Sequence, residues 1–599
     1  MPLLETFQQR QNSFGQQAAR WQQQYNQLSW VRVLVFVAGI AGIWLLYRND
    51  TAALLVIGFA VLVLGLFLYL MKKHNQIAYQ RDQCRFMSQI NQEETARLKG
   101  KHHPEENGNQ HADAKHPYLT DLDIFGRSSL FELLNRSTTL GGNLLLASWL
   151  KQAASAQEIH QRQQTIKEMA PYIDWRQHFQ ASGMHVKASL PEIESLLQWI
   201  DEPPVLSPKK WLVGLVYILP VLTVTAILLS VFTEITYHLP AFFILINSAL
   251  LGYTFKEVKD ASEKTAKSAK VLKVYAELLH TLETCPFQSE RMQELKRALE
   301  HSHSKASTRI RQLSSLLYNL EARQNVYFYA LVSSTILWDL FFVMRLEKWK
   351  EQVQEDIHLW LQSVSEAETL NSLAGFMYAN PEYCLPEISS ENLHLQAQYM
   401  AHPLILKEKR ISNSIHLSGA GKTMVITGSN MSGKSTFLRT VGINAVLAMA
   451  GAPVCAAGFT VSIFQVFTSM RTQDSLEENV SSFYAELKRL KQLIDSLPEG
   501  KPILYLLDEI LKGTNSQDRH SGAQALIRQL HRYNASGFIS THDLALGDMS
   551  KEIPGFVSNY SFNSEVVNDK LYFDYTLREG VCKSFNASKL MQQIGIEME

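Results

Sequence analysis

Two long apolar runs near the start of the chain constrain its fold more than any other feature. They cover residues 30–47 and 51–71, and only residues 48–50 separate them. Each run is close to the ~20 residues that an α-helix needs to cross a bilayer. In lipid, backbone polar groups must be satisfied within the segment itself, so runs of this kind are expected to be helical. Residues 1–98 are therefore predicted to form a transmembrane helical hairpin, preceded by a Gln-rich helix and followed by a polar one.

A second pair of apolar runs, 211–232 and 239–255, is joined by a short stretch. Basic residues flank both pairs on the outside: Arg20, Arg32, Lys72, Lys73, Lys209, Lys210, Lys256 and Lys259. Only Arg48 lies in a connecting turn, so both chain ends are expected to face the cytoplasm. The sequence thus predicts an integral, multi-pass protein of the cell membrane with four spanning helices. The alternative is that the runs are buried helices of a soluble core, although apolar runs this long with so few charges are uncommon there.

A fifth apolar run, 326–344, differs from these four because it contains Asp339 and is bracketed by Arg323 and Arg345. A charged side chain at that depth is costly in lipid. An odd number of crossings would also place the end of the chain outside the cell. This run is therefore predicted to be part of a protein core.

The rest of the chain divides into a linker and two larger units. Its 599 residues are several times the usual length of one domain, which predicts two to four units. A polar stretch, 99–117, is predicted to be a linker. Its His102, His103, His111 and His116 fit no fixed metal-site spacing. Residues 118–375 have a helical pattern and contain the second hairpin, whereas residues 376–599 alternate strand-like runs with helices, which is typical of an α/β domain.

Composition narrows the classes of function. Lys plus Arg and Asp plus Glu number 57 each, so no overall basic charge draws the molecule onto nucleic acid. The five cysteines are far apart and form no CxxC pair, which argues against a disulfide framework or zinc site and indicates a reducing compartment. One local exception is a lysine stripe at positions 256, 259, 264, 267, 270 and 273. Such a stripe suits phosphate contacts, but a solvated helix face beside a membrane is its commoner cause.

A glycine-rich loop in the last domain has the form of a phosphate-binding loop. The short apolar run 423–427 reads as a strand, Gly428-x4-Gly433-Lys434-Ser435 follows, and a helical segment begins at Thr436. Glycines let backbone N–H groups turn inward around phosphates, the lysine reaches the β- and γ-phosphates, and the serine can ligate Mg²⁺. A predicted strand precedes the motif and a predicted helix follows it, which is the context that a true phosphate-binding loop requires and a chance match rarely has. The loop predicts ATP as ligand, with Mg²⁺.

Acidic residues end a second predicted strand further along the chain. The apolar run 503–507 is followed directly by Asp508 and Glu509. In this position Asp508 is expected to hold Mg²⁺, and Glu509 is expected to polarise the attacking water. His542, which follows another strand-like run, suits a sensor of the γ-phosphate. These residues predict ATP hydrolysis rather than ATP binding alone.

Several segments of the chain follow the pattern of one family. They are Gly428 to Arg439 with its Asn430-Met431 pair, Asp474 to Glu486 with Ser481-Ser482-Phe483, Asp508-Glu509 followed by Gly513-Thr514-Asn515, Ser540 to Asp543, and the stretch 133–150. In these residues the chain resembles the MutS family of DNA mismatch-repair proteins. The resemblance covers the start of the core and essentially everything from about residue 376. It implies an α + α/β multidomain fold: a helical MutS-like core, here with two transmembrane hairpins, followed by a P-loop ATPase domain of ABC type.

The resemblance also implies a homodimer with two composite ATP sites. In that family the signature serine of one subunit completes the site of the other, so Ser481 or Ser482 is expected to act in trans. The remaining ATP-binding residues implied are Gly428, Ser429, Asn430, Met431, Ser432, Gly433, Lys434, Ser435 and Thr436. Ser435 and Asp508 are implied as metal ligands, Glu509 and His542 as catalytic residues. ATP is the only small-molecule substrate expected, and the ATPase domain is expected on the cytoplasmic side.

Departures from the family leave the partner open. No counterpart of the family's amino-terminal mismatch reader is present in the first hundred residues, and Leu511-Lys512 replaces a Gly-Arg pair. One hypothesis is a membrane-anchored MutS-like ATPase that still binds DNA in the manner of mismatch repair. The alternative is a membrane ATPase of the same ancestry that acts on a protein or membrane partner without nucleic acid. A transporter is a weaker third hypothesis, because four crossings and the absence of an LSGGQ signature count against it.

Overall fold

A computed structural model describes the chain except for residues 1, 50, 102–106, 186–189, 234–236, 267, 301–303, 472–481, 568–569 and 583–599. Its first 379 residues are helical in the described part. The helices are α1 Pro2–Arg48, α2 Ala53–Leu98, α3 Leu130–Leu134, α4 Leu140–Lys151, α5 Ala156–Met169, α6 Ile173–Gly183, α7 Leu190–Asp201, α8 Lys210–Phe232, α9 His238–Tyr253, α10 Phe255–Lys264, α11 Ser268–Glu283, α12 Glu290–Leu299, α13 Ala306–Glu321, α14 Val326–Phe328, α15 Ser334–Ile336, α16 Trp338–Val353 and α17 Ile357–Ala379.

Strands begin after α17 and alternate with the remaining helices. The elements are β1 Glu387–Ile388, β2 His394–Met400, β3 Asn413–Ser418, β4 Thr423–Gly428, α18 Lys434–Ala450, β5 Gly458–Val461, β6 Gln465–Ser469, α19 Ser482–Ser496, β7 Ile503–Asp508, α20 Ser516–Arg532, β8 Ser536–Thr541, α21 Met549–Glu552, β9 Val557–Val567 and β10 Lys570–Glu579. A mostly helical first part and a sheet-containing last part therefore agree with the predicted multidomain organisation.

The first pair of apolar runs forms the distal half of one long antiparallel hairpin. α1 and α2 continue each run into the polar segment beside it, so the polar helices predicted at 1–29 and 72–98 are not separate elements. Apolar side chains in the runs are strongly exposed, with Trp30 at 75% and Leu54 at 84%. By length and composition, three helices of the described chain are apolar enough to cross a membrane, or five if each of two bent pairs counts as one span.

Polar contacts attach the base of this hairpin to the helical core. Arg136 from the core donates to Glu94 of α2 with Nε–Oε1 and Nη2–Oε2 distances of 2.7 and 2.9 Å. Both side chains are buried, at 5% exposure each. Asn91 of α2 and Gln177 of α6 exchange amide hydrogen bonds at 3.0 and 2.9 Å. The hairpin is thus joined to the core by paired polar groups, which removes the cost of burying them.

The second pair of apolar runs also forms two adjacent helices, α8 and α9. α8 has exposed apolar side chains along much of its length and contains Pro220. Asn247 of α9 donates to the Thr223 hydroxyl of α8 at 3.0 Å, and both residues are fully buried. The two helices therefore meet at a buried polar contact about halfway along the pair, in which the Asn247 amide nitrogen is paired and its Oδ1 has no hydrogen-bond partner among the described residues.

The fifth run is not one core element, so the prediction for residues 326–344 was only half right. The second half, from Trp338, belongs to α16 and buries Asp339 at 1% exposure. The first half, Tyr329–Ile336, bends by 66° from α16 and leaves Leu331 70% exposed. Leu337 adopts a left-handed conformation with φ 53° at the break. Because no glycine or proline occurs at this break, it could not be predicted from the local sequence.

The segment predicted as a linker is packed where the structure describes it. His111 is 8% exposed, with Nε2 2.9 Å from Oδ1 of Asn143 in α4. The Pro117 carbonyl accepts a hydrogen bond from the Thr468 N–H at 2.9 Å, which attaches the segment to β6. His102 and His103 lie outside the described residues. Among the described residues, no group of three or more His, Cys, Asp or Glu side chains is arranged to hold a metal ion.

Six strands form the central sheet of the last domain, in the order β10-β9-β4-β8-β7-β6. All neighbouring pairs are parallel except β10 with β9. Successive residues of β4 point to opposite faces of the sheet. Val425 belongs to one buried apolar cluster and Ile426 to another. The cluster on the Ile426 side includes α18 and continues into the helical core. The parallel sheet is therefore covered on both faces, as such sheets require.

Candidate nucleotide site

Three neighbouring parallel strands place the predicted site residues at one edge of the sheet. β4 ends at Gly428, β7 ends at Asp508, and β8 ends at Thr541. β8 lies between the other two. Because parallel strands end at the same edge, the glycine-rich loop, the acidic pair and His542 come together there. The side chains that sequence reasoning assigned to one site are thus neighbours.

The loop between β4 and α18 encloses the amine of Lys434. α18 begins at Lys434, two residues before the predicted start, after Gly433 at φ 102°. Lys434 is 4% exposed, and its Nζ donates to the Gly428 and Ser429 carbonyls at 2.9 Å each. Burial lowers the pKa of this amine, while the nearby Glu509 and Asp508 carboxylates oppose that shift. The cation is held by the loop itself.

Two serine hydroxyls of the loop have no protein partner. The Oγ atoms of Ser429 and Ser432 are buried and, among the described residues, accept or donate no hydrogen bond. Such orphaned groups are rare in native interiors, because each carries a desolvation penalty. A Cβ added at Gly428 would lie 2.7 Å from the Phe562 carbonyl oxygen, so a side chain is excluded from that wall. The loop fits a bound phosphate chain, whose oxygens would supply the missing partners.

The other loop residues line the opening of this cradle. Asn430, Met431 and Thr436 are exposed, with Met431 77% accessible, and Ser435 is half-buried. Met431 has a φ of 66°, a conformation unusual for a residue with a side chain. The loop therefore turns its backbone inward and presents its larger side chains outward.

Glu509 lies at the centre of a compact charged group. Its Oε1 is 2.7 Å from His542 Nε2 and 3.9 Å from Lys434 Nζ, and its Oε2 is 3.0 Å from Lys512 Nζ. Hydrogen bonding to His542 lowers the pKa of Glu509 to about 2; burial opposes this shift and Lys512 adds to it. The backbone of Glu509 has φ 50°. A charged carboxylate is thus fixed beside the loop by a strained turn and three nitrogen-bearing side chains.

Asp508 is oriented by the neighbouring strand. Its Oδ1 accepts a short hydrogen bond from the Ser540 hydroxyl on β8, and the Glu509 N–H donates to the Ser540 carbonyl at 3.0 Å. Ser540 therefore fixes both acidic residues relative to β8. Carboxylate and hydroxyl oxygens are suitable ligands for Mg²⁺, so Asp508 and Ser435 are the residues that would hold it.

A contact that sequence reasoning missed joins this site to α19. Glu486 is 5% exposed, and its carboxylate accepts hydrogen bonds from the N–H groups of Leu511 and Lys512, the second at 3.2 Å. Gly513 lies so close to α19 that a Cβ there would be 2.4 Å from the Phe483 Cβ. α19 therefore holds the turn that follows Glu509. Glu486 is the last residue of the family-like segment Asp474 to Glu486. Its hydrogen-bond partners lie in a different part of the chain and could not be predicted from that segment.

The two signature serines cannot be placed in the site from this structure. Ser481 lies outside the described residues, as does the side chain of Ser482, the first residue of α19. Their assignment to a partner's site stays a prediction.

A cavity beside the loop was also missed. It has a volume of about 280 Å³ and is lined, among others, by His402, Ile411, Gly433, Thr436 and Tyr575. Burial, with Arg439 nearby, lowers the pKa of His402 to about 4, so the His402 side chain is uncharged at neutral pH. The cavity begins where the loop ends and has the size and mixed apolar character of a site for a flat heterocycle. Its residues come from β2, α18 and β10 and the segments beside them, which no local motif connects.

Comparison with known proteins identifies the same region. Residues 424–595 match the family model of MutS domain V. The DNA mismatch repair protein MutS of Natronomonas pharaonis is 30% identical over 250 residues, which are 41% of this chain and 28% of that protein. The protein of the same name from Geobacillus kaustophilus is 29% identical over 338 residues, or 54% of this chain and 35% of that protein. The chain thus matches about a third or less of the length of these curated relatives, and these matches support a MutS-like protein.

Proposed function

We propose that this MutS-like protein binds and hydrolyses ATP with Mg²⁺ at the edge of its central sheet. The observation that carries the proposal is the group formed by Glu509, His542, Lys512 and Lys434 beside a loop with two orphaned hydroxyls. A carboxylate of depressed pKa next to a phosphate cradle suits a residue that orients and polarises water.

The residues of the site have different roles in the proposed reaction. Lys434 exchanges the Gly428 and Ser429 carbonyls for phosphate oxygens, while the N–H groups and hydroxyls of the loop bind the rest of the phosphate chain. ATP would supply the phosphoanhydride, and Ser435 and Asp508 would hold the Mg²⁺ that neutralises phosphate charge. Glu509 remains ionised because of its lowered pKa, and it orients and polarises the attacking water. As the water oxygen bonds to the γ-phosphorus, the bond between that phosphorus and the β,γ-bridging oxygen breaks, ADP leaves, and the proton of the water passes to the released phosphate. His542 keeps the Glu509 carboxylate in place and senses the γ-phosphate end of the site.

The adenine base is assigned to the cavity beside Gly433 and Thr436. Tyr575 and Ile411 offer apolar surface to a ring, and His402, neutral at physiological pH because burial lowers its pKa, offers a hydrogen-bonding edge. This placement leaves the phosphate chain directed along the loop toward Lys434.

The proposed setting is a membrane-anchored homodimer with composite sites. The helices α1, α2 and α8 have exposed apolar surfaces over lengths that suit a bilayer. α9 reaches such a length only together with α10, from which it is bent by 60°. Basic residues on the outer flanks of the two hairpins favour cytoplasmic termini and a cytoplasmic ATPase domain. The open side of the cradle needs further donors for the γ-phosphate, which Ser481 or Ser482 of a second copy would supply.

DNA is the first candidate partner, because the matched relatives carry the name DNA mismatch repair protein. One observation favours the alternative of a protein or membrane partner. Within the lysine stripe, Lys264 is paired with Glu202 and Asp260 at 2.7 and 2.9 Å, and Lys259 lies 3.7 Å from Glu263. Acidic side chains neutralise part of the lysine stripe, as is typical of a solvated helix face.

Salt-dependent DNA retention separates the two partners. Detergent-purified protein is incubated with homoduplex, mismatched and branched DNA at low salt, with and without ATP. If DNA is the partner, retention is strong at low salt and falls steeply as salt rises, because phosphate contacts release counterions. Absence of retention of every DNA under every nucleotide condition eliminates the DNA hypothesis and leaves the protein or membrane partner.

A further inference from the structure

We infer that residues 326–336 are a re-entrant element that inserts into the same bilayer as the second hairpin and contacts its acyl chains. This inference rests on the proposed membrane anchoring. It adds a third, non-spanning membrane contact between α13 and α16, where sequence reasoning expected a protein core.

The segment is uncharged and mainly apolar, and it has strongly exposed apolar side chains in its first half. No charged residue occurs from Asn325 to Trp338. Tyr327 and Leu331 are 81% and 70% exposed, values comparable to Leu245 on α9 at 70%. Its last turn, α15, packs against both α8 and α9. The exposed apolar surface of the hairpin therefore continues onto this segment, and a lipid environment that covers one also covers the other.

The backbone break inside the segment is satisfied by a side chain of the hairpin. In a continuous helix the carbonyls of Ser334 and Thr335 would accept from the N–H groups four residues on. The left-handed Leu337 interrupts that pattern. Asn247 Nδ2 instead lies 3.0 Å from both carbonyl oxygens and 3.0 Å from Thr223 Oγ1, so its two hydrogens are shared among these three acceptors. Broken helices are tolerated at membrane depth only where such partners exist.

Depth follows from the position of Asn247 on α9. Asn247 precedes Tyr253, the last residue of α9, by six residues, which is about 9 Å along a helix. The Arg323 guanidinium lies 5.6 Å from the Phe255 ring centroid and 3.2 Å from Asp339 Oδ2. The basic flank with Lys256 and Lys259 follows directly. The paired charges thus mark the membrane surface, and the segment reaches toward the centre of a hydrocarbon core that is about 30 Å thick.

Fluorescence quenching by lipids tests this placement. Single cysteines are introduced at Leu331, at Leu228 of α8 and at Leu359 of α17, and each is labelled with an environment-sensitive dye. Four native cysteines are buried and Cys384 is partly buried, so labelled wild-type protein gives the background. The proteins are reconstituted into phosphatidylcholine and phosphatidylglycerol vesicles with or without nitroxide-labelled acyl chains. We expect quenching at positions 331 and 228 and none at 359.

The outcomes separate this inference from the proposed anchoring. Quenching at position 228 but not at 331 overturns the re-entrant element while the hairpin stays in the membrane. Absence of quenching at both positions overturns anchoring itself and the inference with it. In the Leu331→Cys background, Asn247→Ala is expected to reduce quenching at 331, whereas the neighbouring Ser248→Ala leaves it unchanged. Equal quenching in the two variants removes Asn247 from its role.

Discussion

At the scale of single residues, the Glu509 carboxylate is held beside the loop by its contacts with basic side chains. Its nearest partners are His542 and Lys512, and the amine of Lys434 lies farther away because two loop carbonyls hold it. The carboxylate is thus kept ionised chiefly by His542 and also by Lys512. The positions of Lys434, Asp508 and Glu509 could be predicted because each belongs to a local motif.

Removal of the Lys512 amine should move the pH dependence of turnover. The pKa of Glu509 is lowered chiefly by His542 and also by Lys512. In Lys512→Ala that pKa rises, so Glu509 becomes protonated at a higher pH as the solution is acidified. The acid limb of the kcat profile should therefore shift to higher pH, whereas Lys512→Arg should retain the wild-type limb. An unchanged profile in Lys512→Ala would show that Lys512 does not act on Glu509.

Truncation of Glu486 should lower turnover more than nucleotide binding. The Leu511 and Lys512 N–H groups lose their acceptor in Glu486→Ala, and an unsatisfied buried donor costs about 1–3 kcal/mol. The turn after Glu509 then loosens, with kcat expected to fall about tenfold, while binding of a fluorescent ATP analogue is retained. Glu499→Ala, which removes an exposed carboxylate paired only with Lys501 among its described ion pairs, is the matched control. Parallel loss of binding and turnover would assign Glu486 a merely structural role.

At the scale of elements, apolar runs predicted the helices but not where they break or how far they continue. α1 and α2 extend each run into polar sequence, because the polar halves pack on the helical core through residues distant in the chain. The run 326–344 divides at Leu337, where the tertiary contact with Asn247 stabilises a break that periodicity does not reveal. Residues 99–117 were predicted to be a linker because their composition is polar. The burial of His111 depends on tertiary contacts that this composition does not indicate.

The ion pair at the base of the first hairpin should contribute strongly to stability. Burial raises the pKa of Glu94, but Arg136 and Arg97 outweigh it and lower the pKa to about 2. Glu94→Gln leaves Arg136 buried without its counter-charge, which should lower the free energy of unfolding by about 3–5 kcal/mol. Because the folded pKa is depressed, this stabilisation is present at neutral pH and is lost as the pH falls toward that value.

Thermal unfolding in detergent, followed by near-ultraviolet circular dichroism, measures the effect. Glu93→Gln, at the adjacent half-buried position, is the control and should unfold much more like the wild-type protein, because Glu93 makes no direct contact with Arg136 among the described ion pairs. A Glu94→Gln variant that unfolds together with the Glu93→Gln control would mean that the hairpin base does not depend on this pair.

At the scale of the whole molecule, buried contacts connect the α1–α2 hairpin through the helical core to the glycine-rich loop. The Arg136 N–H donates to the Ser372 hydroxyl of α17 at 3.1 Å, and Glu368 of α17 accepts from the Thr138 N–H at 2.9 Å just before α4. Arg162 of α5 donates to the Ala450 carbonyl at the end of α18 at 3.0 Å. Because α18 begins at Lys434, the α1–α2 hairpin, the helical core and the glycine-rich loop are linked through a continuous set of contacts.

Little of this framework was predictable, because each contact joins residues more than two hundred positions apart or lies between elements without a shared motif. The sequence did predict a MutS-like last domain, through segments whose residues are closely spaced, and the family match over residues 424–595 agrees with it. The break at Leu337 and the Glu486 contact required the coordinates of distant elements.

Steady-state ATP hydrolysis by the detergent-purified protein and its Glu509→Gln and Lys434→Ala variants tests the central claim most directly. The account predicts Mg²⁺-dependent turnover by the wild-type chain. Glu509→Gln should bind ATP with retained affinity but lose about 10²- to 10⁴-fold in kcat, and Lys434→Ala should lose nucleotide binding. Hydrolysis by Glu509→Gln at the wild-type rate, or unchanged affinity in Lys434→Ala, would contradict it.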